Sequence, residues 1–315
     1  MFDLITIGRI SVDVYGQEEG AGLEDVQSFR KAVGGSPTNV AIGTAKYGHK
    51  SAVITGVGDD SFGRYAHSEL GKFKVGTEFV STISGKTPVV IAGLKNPDDP
   101  ELVFYRDKDA PDTQMELTES MKTAVSDSRF FWFTGSTLSH PKLRGAVLAL
   151  LQSRDLKSGK ENLFDLDYRP SFWNDEAEAH RGISEAVEYA SIVIGNRKEC
   201  SVATGLPTTS ELKAFAESLL GSGVRLAIIK DGANGVLVAD SQESTIVPGI
   251  KIKVRCGLGA GDAFGAGVVH GLLNGWTPAE IVEFANAAGA HVASQLMCSD
   301  AMPTESEVRA LLGAK

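Results

Sequence analysis

Residues suited to phosphate chemistry are concentrated where one predicted helix begins. The run Gly257–Asp262 places three glycines within five residues, ends in a carboxylate and leads into an apolar helical pattern. Such a backbone leaves N–H groups free to point at one spot, and the positive end of the helix dipole favours an anion there. We therefore predict an anion-binding site at this helix N-terminus.

Asp262 is the unusual member of this run, because a carboxylate repels an anion unless it performs a task beside it. One such task is to take a proton from a nucleophilic hydroxyl group. The alternative is that Asp262 only caps the helix, which is common for an aspartate at this place. Taken alone, the run leaves both interpretations open.

A second glycine-rich helix start lies near the amino terminus. The run Gly34–Asn39 combines two glycines, a potential helix cap at Ser36 and a side-chain amide, and Asp13 lies just beyond the first predicted strand. Because ligands of open α/β sheets bind where strand ends meet helix starts, Asp13 and Asn39 could hold vicinal hydroxyl groups of a polyol. Alternatively, they are an ordinary turn aspartate and helix asparagine.

Strands alternate with helices along most of the chain, which predicts right-handed β-α-β crossovers and a parallel sheet. The predicted strands cover residues 2–7, 51–57, 130–133, 162–166, 191–194, 225–229, 236–239 and 245–247. The first predicted helix begins at Ser36 and stops at Gly48. The other predicted helices cover residues 141–152, 176–189, 212–220, 260–273, 278–295 and 305–312. Segments 12–33 and 79–106 are typical of antiparallel ribbons. We expect one doubly wound α/β domain over residues 1–315, with helices on both faces and a small β appendage.

Composition and missing motifs exclude several classes of protein. A net charge of −9 disfavours a nucleic-acid partner. The cysteines, Cys200, Cys256 and Cys298, lie far apart without metal-ligand spacing, which favours a reducing compartment. No apolar run approaches the roughly 18 residues of a membrane span, so we expect a cytoplasmic protein without a membrane partner. The chain also has no P-loop, no G-x-G-x-x-G, no G-x-S-x-G and no H-E-x-x-H motif.

Several of these segments together resemble the ribokinase (PfkB) family of carbohydrate kinases. The matching motifs are Gly34-Gly35-x-x-x-Asn39, Gly58-Asp59 through Gly63, Asn196-x-x-Glu199, Lys230–Gly235 and Gly259–Asp262. Within that family, segments 8–16, 34–39 and 165–173 are most similar to the kinases that phosphorylate keto-deoxy sugar acids, including those of myo-inositol catabolism.

The resemblance implies a ribokinase-like fold, a β-sheet lid formed by segments 12–33 and 79–106, and ATP-dependent phosphorylation of a primary hydroxyl group. It implies that Asp262 is the base and that Gly259, Ala260 and Gly261 form the anion hole. The implied sugar contacts are Asp13, Gly34, Gly35 and Asn39, and the implied nucleotide contacts are Asn196, Lys230, Gly232, Gly235 and Asn286. Glu199 would organise Mg²⁺ through water. The exposed ribbon is also a natural surface for a homodimer.

Two arginines bear on the kind of sugar. Arg106 ends the second ribbon and Arg169 follows a strand end, and a guanidinium group binds a carboxylate well. They favour a keto-deoxy sugar acid over a neutral sugar, and related acid-sugar kinases place arginines at these two points. The alternative is that both are surface arginines that pair with neighbours such as Asp107 or Asp167.

The chain departs from the family pattern directly before the anion hole. The family usually has Asp-Thr there, which in many relatives helps to bind a monovalent cation, whereas this chain has Cys256-Gly257-Leu258. The sequence therefore leaves the potassium dependence usual in the family open for this chain, and we expect Cys256 to be a small buried residue. The alternative functions that remain open are those of a 2-dehydro-3-deoxygluconate kinase, a fructokinase or nucleoside kinase, and an inactive sugar sensor with a kinase fold.

Overall fold

The computed structural model describes residues 1–313, so the last two residues of the predicted domain lie outside the described residues. The strands are β1 (Leu4–Ile7), β2 (Ser11–Gly16), β3 (Phe29–Gly34), β4 (Ser51–Gly58), β5 (Val80–Ile83), β6 (Val89–Gly93), β7 (Glu101–Tyr105), β8 (Phe130–Thr134), β9 (Glu161–Asp165), β10 (Ile192–Asn196), β11 (Leu226–Lys230), β12 (Val236–Ala239) and β13 (Ser244–Val247). The helices are α1 (Ser36–Lys46), α2 (Ser61–Lys72), α3 (Glu119–Asp127), α4 (Gly135–Leu138), α5 (Pro141–Ser153), α6 (Glu176–Val187), α7 (Arg197–Thr204), α8 (Leu212–Gly221), α9 (Ala260–Leu273), α10 (Pro278–Ala293) and α11 (Glu305–Gly313).

The larger sheet has nine strands in the order β13-β12-β11-β10-β9-β8-β1-β4-β5. The strands from β11 to β5 are parallel, and β12 and β13 continue the sheet antiparallel. β4 and β8 are buried along their whole length, as expected for a sheet covered by helices on both faces. This confirms the predicted α/β fold with a mostly parallel sheet.

The smaller sheet has four strands in the order β3-β2-β6-β7. The two predicted ribbons combine in it, because β2 pairs in parallel with β6 from Val12 and Val89 onwards. The predicted extent of the second ribbon was wrong at its start: β5 belongs to the larger sheet, where it pairs in parallel with β4 at the edge. A four-residue, half-exposed edge strand carries no periodicity that assigns it to one sheet or the other.

The predicted strands and helices of the larger sheet lie within two residues of the observed ones, but four helices were not predicted: α2, α3, α4 and α7. α2 and α3 are mostly polar and bury few apolar side chains, so their sequences lack the apolar residues by which the other helices were predicted. The predicted cap of α1 by Ser36 was also wrong. The N-cap is Gly35, which has a φ of 100° and makes no side-chain capping hydrogen bond.

Glycines inside α9 permit close packing between the sheet and the outer helices. A Cβ atom at Gly265 would lie 2.5 Å from Trp132, and one at Gly267 would lie 2.8 Å from the Cα atom of Ala285 in α10. These two glycines are therefore required by helix packing, and only the run before them is available to a ligand. Among the described helices, none is both long and apolar enough to cross a bilayer.

We expect Gly267→Ala to lower the free energy of unfolding by about 1–3 kcal/mol, because the added methyl group meets the backbone of α10. Gly145→Ala is the matched control, since Gly145 lies in α5, is exposed and has open space around its Cα atom. That change should stabilise by roughly 0.5–1 kcal/mol. Urea denaturation midpoints measure both; equal effects of the two substitutions would contradict the packing role of Gly267.

Candidate active site

A hydrogen bond between two helix starts defines the centre of the site. The Nδ2 atom of Asn39, in α1, donates to Oδ2 of Asp262, in α9, over 2.8 Å. Asp262 does not cap its own helix: the N-cap is Gly259, with a left-handed φ of 83° and no side-chain capping hydrogen bond. Its carboxylate therefore faces the other helix start, and the capping interpretation was wrong.

These two helix starts lie at the edge of a cavity of about 230 Å³ under the smaller sheet. Of the residues predicted from the sequence, the cavity lining contains Asp13, Gly35, Asn39, Arg169, Gly259, Gly261 and Asp262. It also contains three charged residues and a thiol that were not predicted in this role, Arg9, Asp98, Asp99 and Cys298, together with Ser11 and Ser36. The two glycine-rich runs thus meet at one cavity.

Asp13 is a buried carboxylate that polar groups of β2 hold in place. Its Oδ1 atom accepts a hydrogen bond of 2.6 Å from Ser11, and the Tyr15 hydroxyl group lies 3.4 Å from Oδ2. A Cβ atom at Gly34 would overlap this carboxylate, which explains the glycine there. Burial raises the pKa of Asp13 to about 6, against the hydrogen bond from Ser11 and the charge of Arg9.

Asp262 has a shifted acidity for the same reason. Burial raises the pKa of its carboxyl group, and the hydrogen bond from Asn39 opposes that shift. A carboxylate with a raised pKa is a stronger proton acceptor than one in water while it remains ionised at neutral pH. Asp262 therefore has the position and the acidity of a general base for a hydroxyl group in the cavity.

A cation lies beside the glycine-rich start of α9. Lys230 ends β11, and its Nζ atom lies 3.7 Å from the position that a Cβ atom of Gly261 would take. Burial by itself lowers the pKa of Lys230, but the carboxylates of Asp165, Glu199 and Asp262 outweigh it and hold the pKa above its usual value. Lys230 stays charged next to the predicted anion hole.

Glu199 and Asn196 form a capping box at the start of α7. The backbone N–H of Asn196 donates to Oε2 of Glu199 over 2.6 Å, and Oδ1 of Asn196 accepts from the backbone N–H of Glu199. Glu199 is buried, and its charge acts on Lys230 together with that of Asp165, which ends β9. The box holds one oxygen of Glu199 and leaves the other for further contacts.

The remaining residues of the predicted nucleotide side surround the chain segment that follows β13. A Cβ atom at Gly235 would meet Val247, and the backbone oxygen of Gly232 lies close to Gly249. Nδ2 of Asn286 donates to the backbone oxygen of Pro248 over 3.1 Å. These residues lie outside the lining of the cavity around Asp262, so the structure separates the predicted sugar side from the predicted nucleotide side.

The side chain of Arg106, a predicted sugar contact, lies outside the cavity around Asp262. Its guanidinium group makes two hydrogen bonds of 2.6 and 2.8 Å to the buried carboxylate of Asp112, and it lines a neighbouring cavity. The placement of Arg106 in the sugar pocket was therefore wrong in this structure. Asp112 lies in a short 3-10 helix, Pro111–Thr113, that was not predicted, and neither of the expected partners, Asp107 and Asp167, binds Arg106.

Cys256 and Gly257 occupy the place of the family's Asp-Thr pair. Cys256 is a free, buried thiol, as expected. The backbone N–H of Gly257 donates to the backbone oxygen of Pro97 over 2.8 Å, and a Cβ atom at Gly257 would meet the backbone oxygen of Asp98. The glycine thus lets the β6–β7 turn of the smaller sheet pack against the start of α9.

Comparison with known proteins agrees with this geometry. The family model of pfkB family carbohydrate kinases matches residues 1–305. A protein of Bacillus anthracis named 5-dehydro-2-deoxygluconokinase is 32% identical over 99% of this chain and 95% of its own length. The crystal structure of a PfkB protein from Polaromonas sp. JS666 is 26% identical, covers 98% of this chain and all of its own, and superposes with a TM-score of 0.85. A putative ribokinase II of E. coli, solved in complex with ATP and Mg²⁺, is 19% identical over the full length of both chains, with a TM-score of 0.88.

The chain belongs to the PfkB family of carbohydrate kinases. It is a phosphotransferase that acts on a sugar, and the fold is the ribokinase-like one. Curated relatives at 32% identity are named 5-dehydro-2-deoxygluconokinase.

We expect Asp262→Asn to retain the fold and ATP binding and to lose at least about 10²-fold in kcat, because an amide cannot accept the proton of the hydroxyl group. Thermal unfolding and ATP titration check the first part, and a coupled ADP assay checks the second. Asp175→Asn is the matched control: it changes an exposed aspartate that caps α6, and asparagine caps equally well. Near-normal turnover of Asp262→Asn would refute the base assignment.

The acidity of the two buried carboxyl groups predicts the pH profile. Asp262 must be ionised to accept a proton, Asp13 is the stronger hydrogen-bond acceptor when ionised, and burial raises both pKa values, that of Asp13 to about 6. Log kcat/KM for the sugar should therefore fall below about pH 6, well above the pH at which ordinary aspartates protonate. In Asp13→Asn the fall should be shallower. A flat profile down to pH 5 would contradict this assignment.

Proposed function

We propose that this kinase transfers the γ-phosphoryl group of ATP to the primary hydroxyl group of a keto-deoxy sugar acid. The acceptor is 5-dehydro-2-deoxygluconate, and the product is its 6-phosphate. The observation that carries the proposal is a cavity in which the Asp262 carboxylate, held by Asn39, shares the lining with arginine side chains. The names of the relatives at 32% identity support the choice of sugar acid.

In this mechanism Asp262 accepts the proton of the primary hydroxyl group as its oxygen attacks phosphorus. Asp13 and Asn39 hold the other hydroxyl groups, so that the attacking oxygen is the one that faces Asp262. The backbone N–H groups of the run Gly259–Gly261 and the ammonium group of Lys230 stabilise the negative charge that spreads over the transferring group. One preorganised donor of this kind lowers the activation barrier by about 3–4 kcal/mol, and a correctly placed base increases the rate roughly 10²–10⁴-fold.

Mg²⁺ fits the carboxylates on the nucleotide side. Mg²⁺ prefers oxygen ligands and is usually held by one or two carboxylates, substrate phosphates and water. Glu199 and Asp165 offer such oxygens next to Lys230, and among the described residues no cluster of three or more metal-ligating side chains forms a complete protein cage. Glu199 would hold the hydrated ion with Asp165, and the ion would neutralise phosphate charge. Lys230 and the amides of α9 orient the phosphate oxygens from the protein side.

Arg169 supplies the preference for an acid. It lines the cavity, its side chain is 45% exposed, and its Nε atom donates to Asp167 over 2.8 Å. That contact occupies one donor and leaves the two terminal nitrogens for an anion. A neutral sugar gains nothing from a guanidinium group at this place, whereas a carboxylate gains a charge-assisted hydrogen bond.

The most direct test is a panel of acceptors in one coupled ADP assay with purified enzyme and MgATP. The panel contains 5-dehydro-2-deoxygluconate, 2-dehydro-3-deoxygluconate, D-fructose and a nucleoside. We expect kcat/KM to be highest for 5-dehydro-2-deoxygluconate. A preference for 2-dehydro-3-deoxygluconate would correct the acid, a preference for fructose or the nucleoside would refute the acid class, and no turnover of any acceptor would favour a sugar sensor.

The role of Arg169 gives a separate prediction. Arg169→Ala should lower kcat/KM for the acid by about 10²-fold and for fructose by less than about 5-fold, since a charged hydrogen bond is worth roughly 1.5–3 kcal/mol. Arg225→Ala is the control, because Arg225 is an exposed arginine that pairs with Glu161 at the amino-terminal ends of β11 and β9, away from the strand ends that carry the site. Equal losses on the acid and on fructose would exclude a carboxylate role for Arg169.

A further inference from the structure

Arg9 is a second guanidinium group in the proposed sugar cavity. It follows β1, lines the cavity, and is only 12% exposed along its side chain. Its Nε atom donates to Ser136 Oγ over 3.2 Å and its Nη2 atom to Asp167 Oδ2 over 2.9 Å. The Phe172 ring lies 5.1 Å from its guanidinium carbon. Arg9 is therefore held rigidly from three directions.

Asp167 connects Arg9 to Arg169. Its Oδ1 atom accepts from Nε of Arg169, while Oδ2 accepts from Arg9 and from Ser136. The backbone of Asp167 has a positive φ of 23°, a conformation that non-glycine residues rarely adopt. One buried carboxylate thus orients two guanidinium groups, and the surrounding contacts maintain a strained backbone to keep it there.

Both arginines keep unused donors. Within residues 1–313, no hydrogen-bond partner is found for Nη1 of Arg9 or for either terminal nitrogen of Arg169. Arg9 and Arg169 are also the only basic side chains among the described residues that line the cavity, against four aspartates. An anionic substrate needs compensating positive charge in such a cavity, and these two groups are the available source.

Arg106 does not share this position. Asp112 occupies its guanidinium group through two hydrogen bonds, and it lines the neighbouring cavity instead. Phe172 lies next to both arginines, at 5.1 Å from Arg9 and 5.8 Å from Arg106, and Phe104 lines both cavities. The second cation of the sugar pocket is therefore supplied by the end of β1.

We propose that Arg9 and Arg169 together bind the carboxylate of the substrate, with Asp167 as the residue that positions both. The inference rests on the proposed function, because it assigns the acid group of the proposed substrate to a two-arginine site. Arg9 is then a specificity-determining residue: it discriminates an acid from a neutral sugar and has no part in the proton transfer at Asp262.

The test compares wild type, Arg9→Met, Arg9→Lys and Arg106→Met with two acceptors, 5-dehydro-2-deoxygluconate and D-fructose. Arg9→Met leaves Asp167 paired with Arg169 and Ser136, so no buried charge is stranded. We expect Arg9→Met to lower kcat/KM about 100-fold for the acid and less than 5-fold for fructose. Arg9→Lys should restore at most a tenth of the loss, because an ammonium group cannot reproduce the fork of donors.

Binding without turnover provides a second readout. The acid alone should raise the melting temperature of wild type and have little effect on that of Arg9→Met or Arg9→Lys, whereas the effect of MgATP should be the same in all three. Equal losses on both acceptors, or a selective loss of the acid in Arg106→Met but not in Arg9→Met, would overturn the assignment. A wild type that prefers fructose would overturn the proposed function as well. A wild type that prefers the acid, with Arg9→Met retaining that preference, would overturn the role of Arg9 alone.

Discussion

The hydrogen bond between Asn39 and Asp262 is the constraint on which the rest of the site depends. It joins residues 223 positions apart in the sequence and holds the starts of two helices against one cavity. Each helix start alone would provide only backbone donors and a dipole. Brought together, they combine a proton acceptor, an amide that orients it, and N–H groups for an anion. The glycines before α1 and α9 let other segments pack against these helix starts, because a Cβ atom at Gly35 would meet the backbone of Arg9 and one at Gly259 would meet Cys298.

The sequence predicted this part of the molecule because the chemistry is local. Each glycine run is contiguous and ends in the polar side chain proposed to act, so Gly34–Asn39 and Gly259–Asp262 could be selected without knowing the fold, although their roles rested on the family resemblance. The parallel sheet followed from long, regularly alternating elements. β5 was misplaced because a short edge strand has little periodicity, and α2 was missed because it is mostly polar and buries few side chains.

The residues proposed to bind the acid show which contacts could not be predicted from the sequence. Arg106 and Arg169 were equivalent by pattern, and the side chain of Asp112, which distinguishes them, comes from a short 3-10 helix with no distinctive composition. The position of Arg9 in the sequence could have indicated its place: like Asp13, it follows the first strand and precedes the glycine run at the start of α1. What the sequence could not reveal is the long-range pairing of Arg9 with Asp167, 158 positions away, because such pairings depend on tertiary packing.

Charge balance explains why the carboxylates can lie so close together. Lys230 and Arg169 supply positive charge beside Asp165, Asp167, Glu199 and Asp262, and burial raises the pKa of Asp165 to about 8, so that fewer of these carboxyl groups are ionised together. The most direct test of the account is a crystal structure with MgADP, aluminium fluoride and 5-dehydro-2-deoxygluconate. We expect the aluminium fluoride, in the place of the transferring phosphoryl group, to accept hydrogen bonds from the N–H groups of Gly259–Gly261. The primary hydroxyl group should lie within hydrogen-bond distance of Asp262. A fluoride bound elsewhere, or a hydroxyl group directed away from Asp262, would contradict it.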